Sequence, residues 1–254
     1  MILDKFSLKG KAGIVTGASR GIGKGIAEGL AQAGANLAIC SRGLPALQKT
    51  AEELRRYGTD VIAINADVSV KAEVENLVNR TLERFGRIDF LFNNAGITHR
   101  APSEDFPEGW WDEVIRVNLK SVFLCSQAVA RVMIKQGGGK IINTSSLIAV
   151  TGGKSIPAYA ASKGGVAQLT KALANDWAKY RINVNAIGPG YIITDLTAPL
   201  IEDKQRYQEL SARIPMGRWG KPDDLAGAAV FLASQASDYV TGQTIFVDGG
   251  WLSA

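Results

Sequence analysis

The sequence predicts a doubly wound α/β fold: one parallel sheet of seven strands, with helices on both faces, in a single domain over residues 1–254. Three observations predict it. Short β-branched apolar runs recur along the chain, helix-like stretches fill the intervals between them, and no linker interrupts the alternation. Strands that are apolar nearly throughout belong to sheets covered on both sides by helices.

The first run, AGIVT at 12–16, feeds a glycine loop and then GIGKGIAEGLAQAG, a helical pattern closing on Gly34. NLAICS (36–41) and DVIAINAD (60–67) follow as the second and third strands. KAEVENLVNRTLERFG then reads as a helix ended by Gly86, because a glycine accepts the left-handed conformation that terminates a helix. IDFLFN (88–93), KIINTS (140–145), INVNAIGP (182–189) and QTIFVDGG (243–250) complete the seven. Repeated βαβ units with right-handed crossovers wind such strands into one sheet. The stretches QGGGK (136–140) and TGGKS (151–155) are too short to separate domains. The segment 194–218 breaks the pattern, being helical and more charged between the sixth and seventh strands. An insertion after the carboxyl end of a strand lies over the ligand crevice, so a mobile substrate lid is expected there.

Composition narrows the function classes. Hydrophobic residues make up 46% and charged residues 21%, enough apolar surface for a two-sided core. Basic residues outnumber acidic ones 29 to 24 but are scattered, whereas nucleic-acid binding needs a clustered stripe. Cys40 and Cys125 sit inside apolar runs, where a thiol behaves as a small hydrophobe. His99 is the one histidine, so no metal centre of the usual kind is expected. The opening MILDKFSLKGK lacks the apolar stretch of a secretory signal, and no run of 18 apolar residues suggests a membrane span. The expectation is a cytoplasmic protein that binds a small molecule.

The loop TGASRGIG places Gly17, Gly21 and Gly23 between a strand and a helix, with Ser19, Arg20 and Ile22 among them. A helix N-terminus reached through a tight turn offers free N–H groups and a positive dipole end to a pyrophosphate. The second strand ends at Ser41-Arg42, where an NAD site usually carries an acid for the ribose hydroxyls. Serine does not repel a 2′-phosphate, and Arg42 with Arg20 supplies guanidinium forks that match one. NADP(H) is the expected cofactor, with NAD(H) second. Asp67 and Val68, closing the third strand, would face the adenine rim.

PAYAASKGG carries Tyr159 and Lys163, one helical turn apart on one face. A nearby ammonium stabilises a phenolate and lowers a tyrosine pKa from its usual value near 10, which would make the phenol an acid/base.

Read together, TGASRGIG, NNAG at 93–96, Asn118 in VNLK, Ser146 thirteen residues before Tyr159, YAASK and PGYIIT at 189–194 resemble the short-chain dehydrogenase/reductase family. The resemblance covers nearly the whole chain and implies a Rossmann-type fold. It implies that Tyr159 protonates a carbonyl oxygen and that Lys163 lowers its pKa and binds the nicotinamide ribose. It assigns Ser146, rather than Ser145, to the substrate oxygen and Asn118 to a proton relay. Asn93, Asn94, Ala95 and Gly96 would wall the adenosine side; Pro189, Gly190, Ile192 and Thr194 would line the nicotinamide side. A homotetramer is likewise implied.

Finer features, including FSLKGK, NNAGITHRAPSEDF, WWDEV and IPMGRWG, are similar to the sugar-acid branch of the family. In that setting Arg100 would clamp a substrate carboxylate and His99 would bond a sugar hydroxyl. Two rivals share these motifs: a 3-oxoacyl-carrier-protein reductase or broad ketoreductase, and a non-catalytic NADP-binding regulator.

Overall fold

The computed structural model describes residues 1–254. Its strands are β1 Ala12–Thr16, β2 Asn36–Ser41, β3 Val61–Asn65, β4 Phe90–Asn93, β5 Gly139–Thr144, β6 Ile182–Pro189 and β7 Thr244–Val247. They form one parallel sheet in the order β3-β2-β1-β4-β5-β6-β7. The third, fourth and seventh strands are shorter than the apolar runs that predicted them.

The helices are α1 Gly21–Gln32, α2 Leu44–Arg55, α3 Lys71–Phe85, α4 Glu108–Ile115, α5 Ser121–Gln136, α6 Ile148–Thr151, α7 Pro157–Trp177, α8 Ala198–Glu202, α9 Lys204–Ser211 and α10 Ala226–Ala233. Gly86 caps α3 at φ 71°, in the left-handed region. Helix α1 ends one residue earlier than its pattern suggests, on Ala33, and Gly34 carries the positive φ beyond it.

Side chains alternate across the sheet with the period of a strand. Val15, Phe90 and Phe92 face the core under α1, α2 and α10, while Ile14 and Leu91 face the core under α3, α5 and α7. Full burial of Phe90 and Phe92 contributes about 1.5–3 kcal/mol each. A third, smaller cluster of Leu147, Leu210, Ile214, Trp219 and Trp251 seats the segment after β6 on the carboxyl edge of the sheet.

The stretch Glu108–Gln136 runs α4 into α5 through a π-turn at Arg116–Lys120 and is long and apolar enough to cross a membrane by composition. Here half of its most apolar window is buried, with Val122, Cys125, Val129 and Met133 turned into the core. It is a core helix.

Candidate active site

The strand order reverses direction between β1 and β4, and a crevice lies outside the carboxyl ends of the strands at such a point. Thr16 ties the two ends together: its hydroxyl accepts hydrogen bonds from Asn94 N at 2.9 Å and Ala95 N at 3.1 Å. The Asn94 carboxamide in turn donates to Thr16 O at 3.1 Å and Gly17 O at 3.3 Å. The glycine loop packs directly on this junction. Gly17 has φ 65°, and a Cβ there would stand 2.9 Å from Ala95 Cα. A Cβ on Gly23 would stand 2.3 Å from Gly17 O. The backbone therefore folds into a cradle that only glycine permits, with the N-terminus of α1 at its edge.

That cradle is one wall of a cavity of about 670 Å³. The others are Ser41 and Arg42 at the end of β2, Asp67 and Val68 after β3, Ala95 and Gly96 after β4, and Lys163. Arg20 also lines it and forms an exposed ion pair with Asp195 at 2.9 Å, across the mouth of the cavity. Asp67 accepts from Ser69 N at 2.9 Å and from its hydroxyl at 2.6 Å. Burial raises the Asp67 pKa, but the Ser69 hydrogen bonds and the Arg116 and Arg42 charges outweigh it and leave a net lowering. Glycine N–H groups, a helix N-terminus, two guanidinium groups and a buried ammonium fit a phosphorylated dinucleotide.

A second cavity of about 600 Å³ adjoins the first, and Tyr159, Thr144, Ile22 and Thr194 line both. Tyr159 and Lys163 lie on α7, with the lysine nitrogen 5.6 Å from the centre of the tyrosine ring. Lys163 Nζ donates to Thr144 O at 2.6 Å, and burial lowers its pKa from 10.5 to about 8. Enclosure by protein raises the Tyr159 pKa above 10, while the Ser146 hydroxyl and the Arg100 charge pull it back. Ser146 and Ser145 both line this cavity, but the Ser145 hydroxyl donates to Lys163 O at 3.2 Å, whereas the Ser146 hydroxyl acts on Tyr159.

A family model described as enoyl-(acyl carrier protein) reductase matches residues 17–252. The chain is 49% identical to the 2-dehydro-3-deoxy-D-gluconate 5-dehydrogenase of Dickeya dadantii over 254 residues, 100% of both chains. It is 43% identical to the 5-keto-D-gluconate 5-reductase of Escherichia coli K12, covering 99% of both. A solved structure of a gluconate 5-dehydrogenase from Burkholderia cenocepacia J2315, in complex with NADP and tartrate, superposes with a TM-score of 0.96 at 45% identity over 100% of both chains. The chain belongs to the short-chain dehydrogenase/reductase family. It is an oxidoreductase.

Against that family frame, several residues stand differently from the sequence reading. His99 does not line the second cavity: its ring stacks on Trp110 at 4.7 Å and its Nε2 lies 2.8 Å from Glu113. Asn93 is buried, its carboxamide spent on Ser126 at 3.0 Å and Asn143 at 2.9 Å, so Asn94 and not Asn93 reaches the cofactor cavity. Asn118 lines neither cavity. Its carboxamide accepts from Ile97 N at 2.8 Å and donates to Ile97 O at 2.9 Å and Ser162 Oγ at 3.2 Å. The Asn118 side chain thus pins the loop after β4 to α7 from the π-turn, where one extra backbone residue turns it inward. Ser146 and Arg100, and not Lys163, are the groups that act against the burial of Tyr159. Lys163 spends a hydrogen bond on Thr144 O and is itself desolvated.

The sequence reading missed Thr98, Lys154, Tyr191 and Arg206 as cavity-lining residues. Tyr191 stood inside the quoted PGYIIT motif and Arg206 inside the segment 194–218. Nothing in their local pattern showed which way they point.

Proposed function

We propose that this short-chain dehydrogenase/reductase is an NADP(H)-dependent 5-dehydrogenase of a keto sugar acid of the gluconate class. One observation carries the reading: Arg100 opens on the cavity above Ser146 and Tyr159, and no carboxylate of the chain pairs with it. Partial burial lowers its pKa, with Arg206 adding repulsion against the opposing pull of Tyr191 and Tyr159. An unpaired guanidinium crowded in this way is poised for a substrate carboxylate, which would restore the lost solvation through two parallel hydrogen bonds. The NADP and tartrate of the Burkholderia relative support a phosphorylated cofactor and a hydroxy-acid occupant.

When bound, NADPH supplies the hydride that reaches the carbonyl carbon. Ser146 holds the carbonyl oxygen, and Tyr159 gives that oxygen its proton. The pKa of Tyr159 above 10 keeps the phenol loaded at neutral pH, which suits reduction. Lys163 holds positive charge beside the phenol as the proton leaves and offers donors to a ribose. Gly17, Ser19, Arg20, Gly21 and Gly23 would cradle the cofactor's phosphates, and Arg42 would hold the 2′-phosphate. Asn94, Ala95, Gly96, Asp67 and Val68 enclose the adenosine half; Pro189, Gly190, Ile192 and Thr194 enclose the nicotinamide half. Asn118 acts by positioning. The segment 194–218 closes as a lid on this site within a one-domain chain. Exposed Trp111, Phe123 and Ile134 along α4 and α5 support assembly through that face into a homotetramer.

A substrate panel tests the reading. Reduction of 5-keto-D-gluconate with NADPH, or oxidation of 2-dehydro-3-deoxy-D-gluconate with NADP+, should exceed acetoacetyl thioester reduction with NADPH in kcat/KM. The reverse order would assign the chain to carrier-bound oxoacyl substrates.

A further inference from the structure

Arg100 is not alone in the second cavity. Arg206, on α9, lines it from the opposite side, and Lys154 from the turn before α7. The one carboxylate in the lining is Asp203, which caps α9 by accepting from Arg206 N at 3.0 Å. Three cations therefore converge on a space whose single acid is already committed.

The placement of Arg206 follows from how α9 is seated. Leu210 is buried, Tyr207 stacks on Trp219 at 5.1 Å, and Ser211 Oγ accepts from Trp219 Nε1 at 2.9 Å. These contacts fix the helix on the aromatic cluster beneath it. Asp203, Arg206 and Leu210, three and four residues apart, then share one face, and that face borders the cavity. Arg206 is half-buried and rests against Glu209 of its own helix at 3.0 Å. A surface pair within one helix is weak, so a substrate carboxylate can displace Glu209.

We infer that Arg206 is a specificity-determining residue, the arm by which the lid takes hold of the substrate carboxylate opposite Arg100. The inference rests on the keto-acid reading and deepens it. Arg100 belongs to the fixed wall after β4, whereas Arg206 belongs to the segment after β6. A carboxylate held by both joins lid to wall over the carbonyl, so that recognition of the acid and closure of the site are one event. A neutral ketone of the same size gains nothing from Arg206.

The test compares 5-keto-D-gluconate with its uncharged methyl ester in the wild type, Arg206→Gln and Glu209→Gln, at saturating NADPH. Arg206→Gln should raise KM for the acid roughly tenfold or more, with kcat within about threefold and the ester KM within about twofold. Glu209→Gln, which frees the arm, should lower KM for the acid and leave the ester alone. Equal shifts for acid and ester in Arg206→Gln, or no shift in either, overturn the inference while the keto-acid reading stands. A wild type that reduces neither compound overturns both.

Discussion

The ammonium nitrogen of Lys163 stands over the Tyr159 ring, 5.6 Å from its centre. The lysine charge is anchored at Thr144 O, while Ser146 and Arg100 act on the phenol. Burial reverses the order of the two pKa values, moving the phenol upward from 10 and the lysine downward from 10.5 to about 8.

The sign of the pH dependence follows. A raised phenol pKa leaves Tyr159 protonated through the neutral range, so reductive kcat/KM should stay level up to about pH 8. It should fall above that as Lys163 loses its proton. Oxidation needs the phenolate, so its kcat/KM should climb with pH across the same range. Rate profiles in both directions check this; an oxidative rate already level at about pH 6 would contradict it.

Arg42→Ala should lower the ratio of kcat/KM for NADPH over NADH by about ten- to a hundredfold, the worth of a hydrogen bond to a charged group. Kinetics with both cofactors on one substrate read this directly. An unchanged ratio would remove Arg42 from the 2′-phosphate site and leave the Arg20–Asp195 pair as the remaining candidate.

Gly23→Ala should abolish NADPH binding. The added methyl would meet Gly17 O at 2.3 Å and Asn94 Nδ2 at 2.4 Å, so the cradle must open to admit it. Overpacking of this kind costs about 1–3 kcal/mol, a fall of a few degrees in Tm for a chain of this length. Calorimetry and cofactor fluorescence measure the two effects separately.

Arg100→Ala should cut kcat/KM for 5-keto-D-gluconate by about 1.5–3 kcal/mol of transition-state stabilisation. A variant with unchanged kcat/KM would show that the carboxylate lies elsewhere.

Much of this was legible in the sequence because it is local. Strand runs such as Ala12–Thr16 and Ile182–Pro189 are bounded by their own residue types, and the glycine loop, Ser41-Arg42 and the Tyr159–Lys163 turn carry their spacing with them. What escaped depends on tertiary direction. Adjacent Asn93 and Asn94 are chemically identical, yet strand alternation sends one into the core and the other to the crevice. His99 and Arg100 are neighbours too, and only the position of Trp110 and Glu113 on α4 decides that His99 turns away. Helical spacing brings Lys163 near Tyr159 without revealing how deeply both groups are enclosed.

The most direct measurement is the turnover of Tyr159→Phe with NADPH and 5-keto-D-gluconate. The account predicts a loss of about 10²–10⁴ in kcat, with NADPH affinity by nicotinamide fluorescence unchanged and the fold intact. Wild-type turnover in that variant would mean that the proton reaches the carbonyl oxygen from another group, and the central claim would fail.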